Sequence, residues 1–228
     1  MRRILSVLFV VLFVGCSDKK DEGPVLTSTL AAPDQYQVEF ENDYVRIIKV
    51  QYRPGEVSAM HSHEPFLGVS LTGGRSSFTD SSGDSETRPE SFPGDLIDGD
   101  SGQHSVTSIS DFDQESIFVE IKKAYPATDT SVPNIVEVAP EIAKVELEGY
   151  GMRVVRIRNT PNGITPLHSH RAGVSLTLTD MKVEVTSLSG EVREAVRPAG
   201  DFAWEEARAH SGKNLSDEPT EMILFELL

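Results

Sequence analysis

The chain writes one unit twice, and this constrains its fold more than any other feature. Val45-Arg-Ile-Ile-Lys-Val50, Pro54-Gly55, His61-Ser62-His63 and Gly68-Val-Ser-Leu-Thr72 recur as Met152-Arg-Val-Val-Arg-Ile157, Asn162-Gly163, His168-Ser169-His170 and Gly173-Val-Ser-Leu-Thr177. The offset is 107 residues as far as His63 and, in this alignment, 105 after it. Gly94-Asp95, His104-Ser105 and Phe118-Val-Glu120-Ile recur as Gly200-Asp201, His210-Ser211 and Leu224-Phe-Glu226-Leu, at a constant offset of 106. Self-similarity at this scale means two copies of one structural unit, not one domain of 228 residues.

Each copy reads as β structure. Val45–Tyr52, residues 115–122 and residues 181–188 alternate or run apolar and are rich in β-branched side chains. Pro54-Gly55, Gly73-Gly74, Ser82-Gly83-Asp84, Pro93-Gly94-Asp95, Asn162-Gly163 and Ser189-Gly190 are turn signals between them. No stretch sustains a helical apolar period over three turns. Many short strands with regular turns predict an all-β sandwich or barrel. Residues 74–90 are polar and read as a solvated hairpin, and residues 125–134, with two prolines, read as a linker.

The first residues read as an address. Met1-Arg2-Arg3 is basic, and residues 4–14 are apolar apart from Ser6. Those eleven residues span about 16 Å as a helix, against about 30 Å for a bilayer core, so they form a secretory signal and not a membrane span. The run ends Phe13-Val14-Gly15-Cys16, which resembles a bacterial lipobox. That resemblance implies removal of residues 1–15, acylation of Cys16, and a flexible tether over residues 16–35. It also implies a cell-envelope protein whose only membrane contact is the lipid anchor. With Ser17 next, the expected site in a Gram-negative cell is the outer membrane, facing the periplasm. An ordinary signal peptide with an incidental cysteine is the alternative. One Cys excludes an intramolecular disulfide framework and a Cys-rich zinc site. Acidic residues outnumber basic ones 36 to 21, which argues against a nucleic-acid partner. Loss of Arg2 and Arg3 takes the net charge from −15 to −17.

All six histidines occupy equivalent places in the two copies. His61 and His63 correspond to His168 and His170, and His104 to His210. Residues i and i+2 of a strand share a face, so each His-Ser-His puts two imidazoles on one wall. A third His follows 41 residues after His63 and 40 after His170, where an adjacent strand can close a set of three. Such a set suits Fe, Zn, Cu or Ni, and Mn belongs among the candidates for a divalent ion. Duplication of a purely structural pattern is the alternative reading.

These motifs make residues 36–228 resemble a bicupin, a chain of two tandem cupin domains. The cupin family's first motif is a Gly, then His-x-His, then a Glu and a Gly. Here it reads Gly55 with His61 and His63, and Gly163 with His168 and His170. The second motif is Pro-x-Gly followed by a His and, three residues on, an Asn. Here it reads Pro198-Ala-Gly200, His210 and Asn214, and in the first copy Pro93-Gly94, His104 and Ser108. The resemblance implies two jelly-roll β-barrels, over residues 36–124 and 135–228, each with a metal in its open mouth. Asn214 then becomes a candidate to support a ligand.

The departure from the family pattern carries chemical information. The family's metal-binding Glu should fall at Leu67 or Gly68, and at Val174 or Ser175 (Gly173 by the repeat alignment), and no carboxylate stands there. Glu64 directly follows His63 and should face the other way; its counterpart is Arg171. Three neutral imidazoles leave an ion its full charge and an open position for water, dioxygen or an anion. Three-His cupins resembling thiol and diketone dioxygenases use Fe(II) in this way, and zinc suits three His and a water equally.

Glu120 and Glu226 recur on the last strand. Facing inward, either could act as general base or support a ligand; facing outward, it is merely solvated, and both options stand. Asp95 and Asp201 read as turn caps, and Trp204 and Tyr52 as packing residues. No nucleophile elbow or phosphate loop is present. Three functions follow. The first is an envelope metalloenzyme acting on a small molecule by dioxygenase-like or hydrolytic chemistry. The second is a non-catalytic metal- or small-ligand-binding protein, and the third is a structural bicupin with empty sites. The oligomeric state is not legible.

Overall fold

A computed structural model describes residues 25–126 and 131–228. The signal run, Cys16 and the first part of the 16–35 segment lie outside the described residues. The described chain is almost entirely antiparallel β-sheet, with strands β1 to β18 in chain order. Two sheets form each barrel. In the first barrel, a five-stranded sheet runs β1 (Tyr36–Glu41), β2 (Val45–Tyr52), β9 (Gln114–Ile121), β4 (Phe66–Ser70), β7 (Leu96–Gly99). Facing it is a four-stranded sheet of β3 (His61–His63), β8 (Gly102–Ser108), β5 (Ser76–Asp80) and β6 (Ser85–Thr87). The second barrel repeats both. Its larger sheet is β10 (Ala143–Gly149), β11 (Met152–Asn159), β18 (Thr220–Leu227), β13 (Gly173–Thr177) and β16 (Phe202–Glu205). Its smaller sheet is β12 (Ile164–His170), β17 (Arg208–Asn214), β14 (Met181–Ser187) and β15 (Val192–Arg197). Among the described residues no helix is long and apolar enough to cross a membrane.

The two large sheets pack back to back, which explains why their strands read as nearly continuous apolar runs. On β2, Val45 and Ile47 point away from their own barrel, while Ile48, Val50 and Tyr52 point into it. The outward set joins Leu67, Val69, Ile117 and Val119 in one core with Met152, Val154, Val174, Leu176, Ile223, Phe225 and Leu227 of the other barrel. Period-two alternation therefore fills two cores at once: a barrel interior on one face and the junction between barrels on the other.

Two boundaries differ from the sequence reading. Residues 16–35 read as a tether, yet from Leu26 onward the chain belongs to the first barrel. Ser62 donates its backbone N–H to the Leu26 carbonyl at 2.9 Å, a short helix, α1 (Ser28–Ala31), follows, and Ser28 and Ala32 are buried. Small Ser, Thr and Ala side chains fit against the edge of β3, and the same composition mimics a linker. The matching helix α2 (Ile135–Val138) opens the second barrel, with Asn134 and Glu137 forming a capping box. Its leading segment also docks early, since Ser169 donates to the Pro133 carbonyl at 2.8 Å.

The register of the repeat also changes. Phe66 pairs with Glu120 and Gly99, whereas Gly173 pairs with Glu226 and Glu205. Phe66 is thus the equivalent of Gly173, and Gly68 of Ser175. The offset stays at 107 through this strand, and the matching Gly-Val-Ser-Leu-Thr strings are two residues out of spatial register. Burial decides it, since Leu67 and Val69 must occupy the places of Val174 and Leu176 in the shared core.

Candidate metal centre

Each His-Ser-His lies along the strand nearest the third histidine of its own barrel. His61 pairs directly with His104 across β3 and β8, and His168 with His210 across β12 and β17. The rings of His61 and His63 each lie 4.9 Å from that of His104, with 6.4 Å between His61 and His63. In the second barrel the rings of His168 and His210 are 4.5 Å apart, and those of His170 and His210 are 5.2 Å apart. The structure thus brings all six predicted histidines into two clusters. Neither is a closed cage: among the described residues no group of three or more His, Cys, Asp or Glu side chains has the closeness of a formed metal site.

The backbone orients the rings. Nδ1 of His61 meets the Ala59 carbonyl at 2.8 Å, and Nδ1 of His168 meets the Pro166 carbonyl at 2.8 Å. His63 and His170 use Nδ1 on the carbonyls of Glu64 and Arg171, at 3.0 and 2.9 Å. With Nδ1 donating, Nε2 carries the lone pair, the tautomer a metal ligand needs. Nε2 of His61 and Nδ1 of His210 are buried with no hydrogen-bond partner. Orphaned, buried nitrogens within a cluster of imidazole rings fit a cation better than a packed apolar wall. Burial, followed by the neighbouring histidines, pushes His104 and His210 down to about 3; burial also lowers His61 and His168. All four therefore favour the neutral form that ligates.

Gly68 and Ser175 occupy the place of the missing carboxylate. A Cβ at Gly68 would lie 2.6 Å from the Ile117 carbonyl oxygen and 2.7 Å from the Phe118 ring, so no Glu fits there without backbone movement. Ser175 instead donates to Glu205 Oε1 at 2.9 Å and accepts from Arg197 at 2.8 Å.

The last-strand glutamates face inward, which period two alone could not decide. Glu120 lines the first cavity, 3.4 Å from Arg46, and burial raises its pKa. Glu226 is fully buried, 2.5 Å from Arg153 Nε, and accepts the Arg171 backbone N–H at 2.9 Å. Asn214 lines the second cavity, but its amide donates to the Thr160 and Glu218 carbonyls and accepts from Ser216, so it pins a turn and hydrogen-bonds to no histidine among the described residues. Asp95 caps its turn by accepting the Phe92 N–H, while Asp201 pairs with Arg197 at 2.6 Å. Tyr52 is buried as predicted and hydrogen-bonded to Tyr36, whose ring lies 4.8 Å from that of His61 in the first cavity. Tyr36 carried no sequence signal, because its counterpart in the second copy is Ala143.

Two antiparallel β-barrels with a histidine cluster inside each define a tandem cupin fold. No protein-family profile and no curated protein matches the sequence. Solved structures do share the fold. AerE from Microcystis aeruginosa is 15% identical, with 85% of this chain and 97% of that chain covered at a TM-score of 0.59. An oxalate decarboxylase–formate complex from Lactobacillus farciminis is 15% identical, with 82% and 78% covered at 0.55. An oxalate decarboxylase from Bacillus subtilis, described with Mn(II) centres, is 15% identical, with 82% and 69% covered at 0.52.

Proposed function

We propose that this chain is a lipid-anchored metalloprotein of the cell envelope, in which three imidazoles per barrel hold a divalent ion and the first barrel acts on a small molecule. The carrying observation is the pair of histidine clusters with backbone-locked Nδ1 atoms and orphaned, buried ring nitrogens at His61 and His210. His61, His63 and His104 would hold one ion, and His168, His170 and His210 the other. Such an ion supplies Lewis acidity and a site for dioxygen or water, which suits dioxygenase-like or hydrolytic chemistry. The chain's own contribution is clearest in the first barrel, whose cavity of about 620 Å³ admits a substrate. There Glu120, held loosely by Arg46, can exchange a proton with a bound molecule. The Mn(II) centres of a structural neighbour support a divalent ion as the resident. A binding role without turnover is favoured for the second barrel alone, where Glu226 is fully engaged by Arg153 and Arg171.

Elemental analysis of the purified chain tests this reading. One ion per barrel is expected, with His104→Ala and His210→Ala each losing one. A folded chain that takes up no Fe(II), Zn or Mn on reconstitution would sink the proposal. Radiolabelled palmitate incorporation, abolished by Cys16→Ser, tests the anchor.

A further inference from the structure

The two cavities share a fold and a histidine set, but their charges are opposed. The first is lined by Arg88 against Asp98, Asp100 and Glu120. The second is lined by Arg193, Arg197, Arg208 and Lys213 against one carboxylate, Glu205. In a chain of net charge −15, an interior with an excess of cations is a local inversion that general composition does not explain.

Part of that charge is already matched. Arg197 is paired with Asp201 at 2.6 Å, and Arg208 reaches Glu205 through its terminal nitrogen at 2.6 Å. Arg193 forms no ion pair or hydrogen bond among the described residues and stands on β15 at the cavity mouth. Arg208 Nε is buried and has no partner. A buried guanidinium N–H without an acceptor is a costly arrangement that a bound anion would relieve. The strand positions reinforce this. Arg208 pairs across the sheet with His170, and Arg193 pairs with Val185 of β14, which pairs in turn with Gly212, two residues from His210. Both arginines also act electrostatically on His210, so the cationic side of the cavity lies beside the histidine cluster. At about 160 Å³ the cavity is near the size that holds a six-carbon ring, so the ligand is small.

We propose that the second barrel is an anion receptor, taking a small carboxylate between Arg193 and the unpartnered Nε edge of Arg208, and that the first barrel does not bind such a ligand. The first cavity holds three carboxylates with one arginine, and that arginine, Arg88, lies over the Phe78 ring at 4.3 Å. This inference rests on the reading of the barrels as small-molecule sites, but it needs no metal.

Calorimetric titration of the full chain with succinate, and with neutral succinamide of the same shape, tests it. Succinate should bind and succinamide should not. Arg193→Gln should weaken succinate binding about tenfold or more, Arg193→Lys should restore part of it, and Arg88→Gln should leave it unchanged. Arg193 is exposed and without bonds, so its replacement should not disturb folding. Equal binding of both probes, unchanged affinity in Arg193→Gln, or loss in Arg88→Gln instead would overturn the proposal, as would no succinate binding at all. Metal content measured on the same samples separates the two readings. Bound metal without a succinate response removes only the anion site. A succinate response in a chain that never takes up metal removes only the metal reading.

Discussion

Tyr150 of the second barrel donates its phenolic hydrogen to Asp100 of the first at 2.6 Å. Asp100 lies in the turn between β7 and β8, four residues before His104. The same relationship recurs in mirror form. Glu206, four residues before His210, accepts from Tyr125 at 2.9 Å, and Tyr125 also packs on Tyr44 and Trp204. The strands that carry His104 and His210 therefore each start from a turn held by a phenol outside their own barrel. Tyr150 occupies the left-handed region at φ 51°, a conformation a tyrosine rarely adopts, so the turn is shaped to deliver this contact.

The hydrogen bond to Asp100 raises the Tyr150 pKa to about 12. A phenol raised from about 10 contributes its full stabilisation below pH 10 and loses it as pH rises through about 12. Ultraviolet titration near 295 nm should show this late phenol, and Asp100→Asn should return it towards 10. In Tyr150→Phe, amide exchange should speed up across residues 99–104 while the global melting temperature barely moves.

The buried pair in the second barrel should matter more than its counterpart in the first. Arg153→Ala leaves Glu226 buried and half satisfied, and should cost about 3–5 kcal/mol by denaturant unfolding. Arg46→Ala should cost about 1–2 kcal/mol, because Arg46 is partly exposed and its contact with Glu120 is longer, at 3.4 Å. Equal losses would mean that the two glutamates are equally sequestered.

The back-to-back core predicts that neither barrel is independent. Phe225→Ala, in the middle of the junction, should destabilise the whole chain by about 3–5 kcal/mol, in one cooperative transition. The first barrel expressed alone should associate or aggregate, since Val45, Ile47, Leu67 and Val119 would face water. A stable monomer on size-exclusion chromatography would contradict this.

Acid should weaken the metal-free chain before its carboxylates titrate. His104 and His210, held at about 3, stay neutral in the fold, while the unfolded chain protonates them near 6.5. The unfolded state then binds more protons, so stability is full above about pH 6.5 and falls progressively towards about 3. The urea midpoint should drop between pH 7.5 and 5, and His210→Gln should flatten that drop.

Several features were legible in the residues because their physical basis is local. Alternation over Val45–Tyr52 and the turn glycines specify strands and their limits. Spacing specifies that His61 and His63 share a face, and identical placement in both copies identifies all six histidines. The small residues before β1 misled for a related reason: packing against the β3 edge and flexibility in a tether use the same side chains.

Tertiary neighbours settled what local pattern could not. Whether Glu120 and Glu226 point inward depends on which face of their sheet meets the other barrel, and that is decided by the apolar junction around Phe225. The same burial moved Gly173 from Gly68 to Phe66 as its partner, overriding an identical five-residue string. Arg193 and Arg208 carry no sequence signal of their own, and only the closing of the barrel brings them to one cavity. The sequence by itself determined an all-β duplication with two histidine triplets, since strand period and repetition are properties of the chain. The folded structure alone decided the charge inside each barrel, since that depends on which strands become neighbours.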